Sequence, residues 1–242
     1  MDKIQRRKLL LQAIIQEYIK TAHPVSSQVL VEEYGFDYSP ATVRNDMAAL
    51  EDAGLIIQPH TSAGRVPTEK GYHYYIRHFL QHDPLPKAQQ TTLDKAVTAE
   101  ADTERERLKR IARAVSELTG ELVIVSDGNG DVLYTGMSHI VRKPEFAEAN
   151  VMTSLGDAFD RLDEVMSDMQ QMMRQEIDVL LGAENPFSNT FAIVVGEYVL
   201  PETETQGVMG ILGPMRMDYA TNIAILEYME SLIDQQNEEH IT

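Results

Sequence analysis

The run Ser39-Pro40-Ala41-Thr42-Val43-Arg44-Asn45-Asp46-Met47 holds the side chains with most to offer another molecule. Arginine pairs bidentately with O6 and N7 of guanine and asparagine with N6 and N7 of adenine, each good contact giving about 1 to 3 kcal/mol of discrimination. Serine at a cap position followed by proline at the first helical position makes this the strongest helix start in the chain. Val43, Met47 and Leu50 recur at i, i+4, i+7 and face a core, so Thr42, Arg44, Asn45 and Ala49 project elsewhere. The N-terminal part of a helix lying in a major groove presents such residues to base edges, which nominates Ser39, Thr42, Arg44 and Asn45, with Arg44 and Asn45 first. The competing assignment is structural: Arg44 pairs with Glu51 or Asp52, and Ser39 and Thr42 only cap the helix. A second set, His60, Thr61, Ser62 and Arg65, sits on a loop whose small residues and Gly64 permit close approach to phosphate or to a minor groove. Arg65 leads that set.

Other chemistry finds less support. The chain has no cysteine, hence no disulfide framework, thiolate metal site or cysteine nucleophile. Asp127, Asn129 and Asp131 imitate the start of a calcium loop, but Val132 stands where glycine is needed and Ser138 where the bidentate glutamate belongs, so a hairpin turn is the better reading. His78 and His82 have helical i, i+4 spacing without a third ligand, which favours a solvated helix end over zinc. No phosphate-cradling glycine loop, nucleophile elbow or HExxH motif occurs, and neither catalysis nor a cofactor is expected.

The elements around the nominated helix fall in a definite order. Ile4, Leu9, Leu10, Ala13, Ile14 and Tyr18 mark a first helix stopping near Ala22. Ser26 or Ser27 caps a short second helix that Gly35 ends. Ala53-Gly54 closes the third. Leu55 to Pro59 and Arg65 to Pro67 then read as a small hairpin, and Thr68 starts a helix, Lys70 to Gln81, with Tyr72, Tyr75, Ile76 and Phe79 inward. Three helices, a hairpin and a helix make a winged helix-turn-helix over residues 1–82.

Residues 83–119 read as a linker, Asp83-Pro84-Leu85-Pro86, and one amphipathic helix ending at Gly120. In residues 120–242, Leu122 to Val125 and Val132 to Tyr134 flank a turn, Asp127-Gly128-Asn129-Gly130. A long helix from Glu145 to about Leu181, strands through Phe191 to Tyr198 and Gly207 to Leu212, and a closing helix complete a mixed α/β domain. Leu155, Phe159, Leu162, Met166, Met169 and Met173 alternate like a coiled-coil seam. Packing on the domain's own sheet is preferred, and self-association is the alternative.

Charge is divided unevenly. Residues 1–82 carry 9 Lys+Arg and 9 Asp+Glu, whereas residues 83–242 carry 12 and 29, so the whole net charge of −17 lies in the second part. Only the first part tolerates a polyanion, and its affinity must come from locally placed cations. No run approaches the roughly 20 apolar residues of a membrane span, so a soluble cytoplasmic protein is expected.

Ser39 through Leu55 and Gln58 through Tyr72 together resemble the HrcA family of bacterial heat-inducible transcription repressors. Glu184-Asn185-Pro186 and Gly213-Pro214-Met215-Arg216-Met217-Asp218-Tyr219-Ala220 are similar to the family's closing motifs. The resemblance implies an α+β chain with an N-terminal winged helix-turn-helix domain followed by a GAF-like mixed α/β domain. It further implies a homodimer on double-stranded DNA at an inverted-repeat operator, with the chaperonin as modulator. The chain resembles a shortened member whose missing length, between the strand at Leu122 to Val125 and the segment at Leu133 to Gly136, includes an inserted dimerisation domain. The alternative function is a ligand- or partner-sensing adaptor whose winged helix makes protein contacts.

Overall fold

Helix α1 (Lys3–Thr21) starts where the Asp2 carboxylate accepts the backbone N–H groups of Ile4 and Gln5, and stops at Ala22, whose φ of 56° turns the chain left-handed. A computed structural model describes residues 2–61, 63–80, 83–101, 103–127, 130–199 and 206–241, with side chains as far as Ile233. The chain divides into two units, Met1–Gln81 and His82–Thr242.

In the first unit α1 buries Leu10, Leu11, Ala13, Ile14 and Ile15. This corrects the expected stripe: Ile4 is 69% exposed and Leu9 lies at the surface, while Leu11 and Ile15 take their places inside. Helix α2 (Ser27–Tyr34) is capped by Ser26 and ended by Gly35 in the left-handed region. Helix α3 (Pro40–Asp52) follows, capped by Ser39 with Pro40 at its first position. Strands β1 (Ile56–Ile57) and β2 (Val66–Pro67) pair antiparallel, Ile56 opposite Pro67. Helix α4 (Glu69–Phe79), capped by Thr68, buries Tyr72 and Tyr75 and leaves Ile76 and Phe79 half-buried. It ends at Phe79, short of the expected Gln81, which lies outside the described residues. This order is a helix-turn-helix with a two-stranded wing.

In the second unit the single amphipathic helix expected over 88–118 is two helices, α5 (Lys87–Thr98) and α6 (Glu104–Thr119). Ala99 adopts extended backbone, and the Thr103 side chain caps α6 afresh. Arg110 of α6 fastens the break by donating to the carbonyls of Ala96, Ala99 and Glu100 at the end of α5. Leu85 of the expected linker is itself buried.

Five strands follow: β3 (Leu122–Ser126), β4 (Val132–Thr135), β5 (Ile177–Leu181), β6 (Phe191–Val199) and β7 (Gln206–Pro214). They form one antiparallel sheet in the order β4-β3-β7-β6-β5. The long helix expected over 145–181 is replaced by α7 (Met137–Ile140), a 3-10 turn over Pro144–Ala147, α8 (Ala149–Phe159), α9 (Leu162–Met172) and β5 itself. Arg161, at φ −129° and ψ 37°, breaks the helical path between α8 and α9. Residues Ile177 to Leu181 gain a ladder to β6 that a helix would forfeit. Helix α10 (Tyr219–Ile241) closes the chain.

Alternation along the strands sends side chains to two faces. Leu122, Ile124, Ile193 and Leu212 join Leu155, Leu162, Met166 and Met169 in one core, with Phe159 and Met173 partly buried against it. The heptad-like stripe is therefore occupied by the unit's own sheet. Val123 and Val125, also fully buried, take the opposite face, on the side where α6 meets β3 and α10 meets β6.

Candidate nucleic-acid interface

Helix α3 is amphipathic in a way that separates holding from reading. Val43, Asp46, Met47 and Leu50 are its buried residues, spaced three and four apart on one face. Arg44 and Asn45 point the other way and are exposed. Arg44 Nε donates to the Pro40 carbonyl at 3.2 Å, which lays the guanidinium along the helix toward its N-terminus. It pairs with neither Glu51 nor Asp52 among the described residues. Asn45 makes no side-chain hydrogen bond to another described residue. Ser39 Oγ accepts the Thr42 backbone N–H at 3.2 Å and lies 3.1 Å from Thr42 Oγ1, so the Ser39 hydroxyl caps the helix and the two hydroxyls bond each other at its exposed end. The positive end of the helix dipole adds to the attraction such an end has for a phosphate.

The wing is fixed to the helices from two sides. Val25, in the turn between α1 and α2, exchanges backbone hydrogen bonds with Arg65, 2.8 Å each way. The approach is so close that a Cβ on Gly64 would stand 2.4 Å from the Val25 carbonyl oxygen, which only glycine avoids. On the other side Glu51 of α3 takes three hydrogen bonds. Its Oε1 accepts the Gln58 backbone N–H at 3.1 Å, and its Oε2 accepts Arg65 Nε and Nη2, each at 2.9 Å. Gln58 Nε2 in turn donates to the Ala63 carbonyl across the loop. His60 and Thr61 at the tip are exposed, and Ser62 lies outside the described residues. The expected wing cation, Arg65, is thus part of the wing's attachment: its guanidinium holds Glu51.

Asp46, which the sequence reading passed over, is the most enclosed charge of this unit, at 2% exposure. Its Oδ2 accepts Arg6 Nε at 2.5 Å and its Oδ1 accepts Arg7 Nε at 3.0 Å, both from α1. Burial pushes the carboxyl up, but the bonds from Arg6 and Arg7 outweigh it and hold Asp46 below the ordinary aspartate value. Arg6 also lies over the Tyr38 ring, 4.8 Å from its centroid, and Asp46 holds Arg6 above its usual value. The signal for Asp46 was present: at i+3 from Val43 and i−4 from Leu50 it falls on the buried stripe, where a carboxylate requires a partner. Nothing local pointed to Arg6 and Arg7 as that partner.

The remaining candidates resolve as structure. Asp131 pairs with Arg105 at 2.8 Å, and Asp127 Oδ1 accepts the Asp131 N–H, closing the hairpin turn; Gly128 and Asn129 are outside the described residues. His78 lies tilted against the Tyr74 ring with centroids 4.3 Å apart, and His82 is likewise outside them. Among the described residues no group of three or more His, Asp or Glu is placed to hold a metal ion, and no helix is long and apolar enough to cross a membrane.

Comparison with known proteins matches residues 12–68 to the DeoR-like helix-turn-helix domain and residues 73–223 to the HrcA protein C-terminal domain. The heat-inducible transcription repressor HrcA of Bifidobacterium longum (strain DJO10A) is 45% identical over 121 residues, covering 50% of this chain and 32% of that protein. The protein of the same name from Geobacter sulfurreducens is 25% identical along 97% of this chain and 98% of its own length. That alignment runs to 336 positions against the 242 residues here, so the match is interrupted by positions this chain lacks. A crystal structure of a hypothetical protein shares the fold, with a TM-score of 0.74 at 19% identity over 96% of this chain and 97% of that one.

Proposed function

Because the chain belongs to the HrcA family, we propose that it is a sequence-specific DNA-binding repressor of heat-shock genes, acting in the cytoplasm as a homodimer on an inverted-repeat operator. The observation that carries this reading is the outer face of α3, where Arg44 and Asn45 are exposed on a helix whose other face is fixed by core residues and ion pairs. In the major groove Arg44 reads a guanine and Asn45 an adenine. Ser39 and Thr42 meet the adjoining phosphates. His60, Thr61 and Ser62 follow the sugar-phosphate backbone, while Arg65 braces the wing and reaches phosphate only by exchanging Glu51 for it. Self-association belongs to the second unit, since two linked modules gain effective concentration and read a palindrome by symmetry. The names of the relatives support heat as the signal, and the chaperonin as modulator rests on the family resemblance alone.

The test is binding to a duplex carrying the inverted repeat against a scrambled duplex over a salt series, repeated with Arg44→Ala. Preference for the repeat, lost with Arg44→Ala, is expected. Equal weak binding to both duplexes would sink the reading and favour a protein-contacting adaptor. A chain monomeric at micromolar concentration with and without the operator would remove the dimer from it.

A further inference from the structure

The reading face of α3 has its anchor directly behind it. Each residue of an α-helix advances about 100° around the axis, so Asp46 stands about 200° from Arg44 and about 100° from Asn45. Asp46 therefore points at α1 when Arg44 points at solvent, and whatever sets the rotation of Asp46 sets where Arg44 lands. The two carboxylate oxygens are divided between two neighbouring guanidiniums, Oδ2 to Arg6 and Oδ1 to Arg7. One bond would leave the helix free to pivot; two from consecutive residues of α1 fix both rotation and displacement along the axis. Arg6 adds a second point of hold on the Tyr38 ring, immediately before the Ser39 cap. The start of α3 and its second turn are thus gripped by one side chain.

We infer that Asp46, with Arg6 and Arg7, is the positioning residue for operator recognition: it fixes the rotation of α3 that brings Arg44 and Asn45 to the base edges. The inference rests on the DNA reading above. Base contacts demand geometry within a few tenths of an ångström, whereas phosphate contacts tolerate displacement, so loss of the clamp affects specific binding selectively.

The experiment uses the full chain with Asp46→Asn, which keeps size and an acceptor but removes the charge, and with Arg6→Lys, a partly exposed site where the charge stays and the Nε–Oδ2 geometry goes. Circular dichroism at the binding temperature establishes that each is folded. Preference for the repeat over the scrambled duplex is expected to fall about tenfold or more in both, with affinity for the scrambled duplex and its salt slope unchanged. Arg44→Ala, combined with Asp46→Asn, is expected to cost much less than it does alone, because a misplaced Arg44 has little left to lose. A purely structural Asp46 would give additive losses and equal weakening on both duplexes. A folded Arg6→Lys that discriminates like the wild type overturns the inference even where Asp46→Asn does not fold. If the wild type itself does not discriminate, the DNA reading falls and this inference with it; if it does and both variants match it, only the inference falls.

Discussion

Two carboxylates hidden from solvent, one in each unit, are both pushed up by burial yet end on opposite sides of their ordinary values. Asp46 in the first unit ends below its ordinary value because two guanidiniums each give it a hydrogen bond. Glu121, which sits just before β3 in the second unit at 3% exposure, is pushed up to about 7 by burial, against the pull of Lys143 and Arg216 and with the push of Glu145. Lys143 is its one ion-pair partner among the described residues, its Oε2 has no hydrogen bond there, and Arg216 is engaged with Glu145. Gly213 makes room for it: a Cβ there would stand 2.4 Å from that same oxygen. Solvent exposure is nearly equal at the two sites, but Glu121 lies deeper among surrounding groups and meets fewer donors, and the two together decide whether the ionised form is held or opposed.

The comparison breaks most readily at Asp46. Asp46→Ala leaves Arg6 and Arg7, both partly exposed, without their shared partner and is expected to lower stability by about 2 kcal/mol, read by denaturant unfolding of the first unit; a loss under about 1 kcal/mol would mean the clamp holds little. Its pH dependence has a definite sign. A depressed carboxyl contributes stability above its unfolded value, near 3.8, and that contribution is lost as pH falls through the lower folded value.

Glu121 has the reverse sign. Its folded value is raised, so its contribution is complete below about 4.5 and lost as pH rises through about 7. Between pH 5 and 8 the wild type is expected to lose roughly 2 kcal/mol more than Glu121→Gln, and parallel melting-temperature profiles for the two proteins would refute the contrast.

How much of this was legible depends on distance along the chain. Caps are local, and Ser26, Ser39, Thr68, Gly35 and Gly120 mark the helix ends where the sequence puts them. The clamp is not local, since Asp46 and Arg6 lie 40 positions apart and only the folded first unit joins them. That Arg44 and Asn45 are exposed follows from the core stripe of α3, which leaves them no other face, whereas the pairing of Arg65 with Glu51 joins two different elements and has no local signature. In the second unit the misread segment kept an unbroken three-four spacing from Leu155 to Met173, with no glycine or proline at the Asp160-Arg161 break. The strand that follows exists because β6 offers it a ladder, which no local pattern encodes.

Two smaller effects sharpen the picture of the first unit. Gly64→Ala forces the wing away from Val25 and is expected to cost about 1 to 2 kcal/mol in thermal unfolding, with weakened duplex binding; an unchanged melting point would show that the approach relaxes freely. Ile4→Ser, at a site 69% exposed, is expected to change stability by less than about 0.5 kcal/mol, and a larger loss would show that this residue is covered in solution.

The side chains that clamp and brace α3 along its length, Arg6, Arg7, Tyr38, Asp46, Glu51 and Arg65, all precede α4. The alignment of the reading helix is therefore portable. Joined to an unrelated oligomerising partner, this segment carries its own calibration with it, and the choice of what lies downstream is left free to answer a different signal.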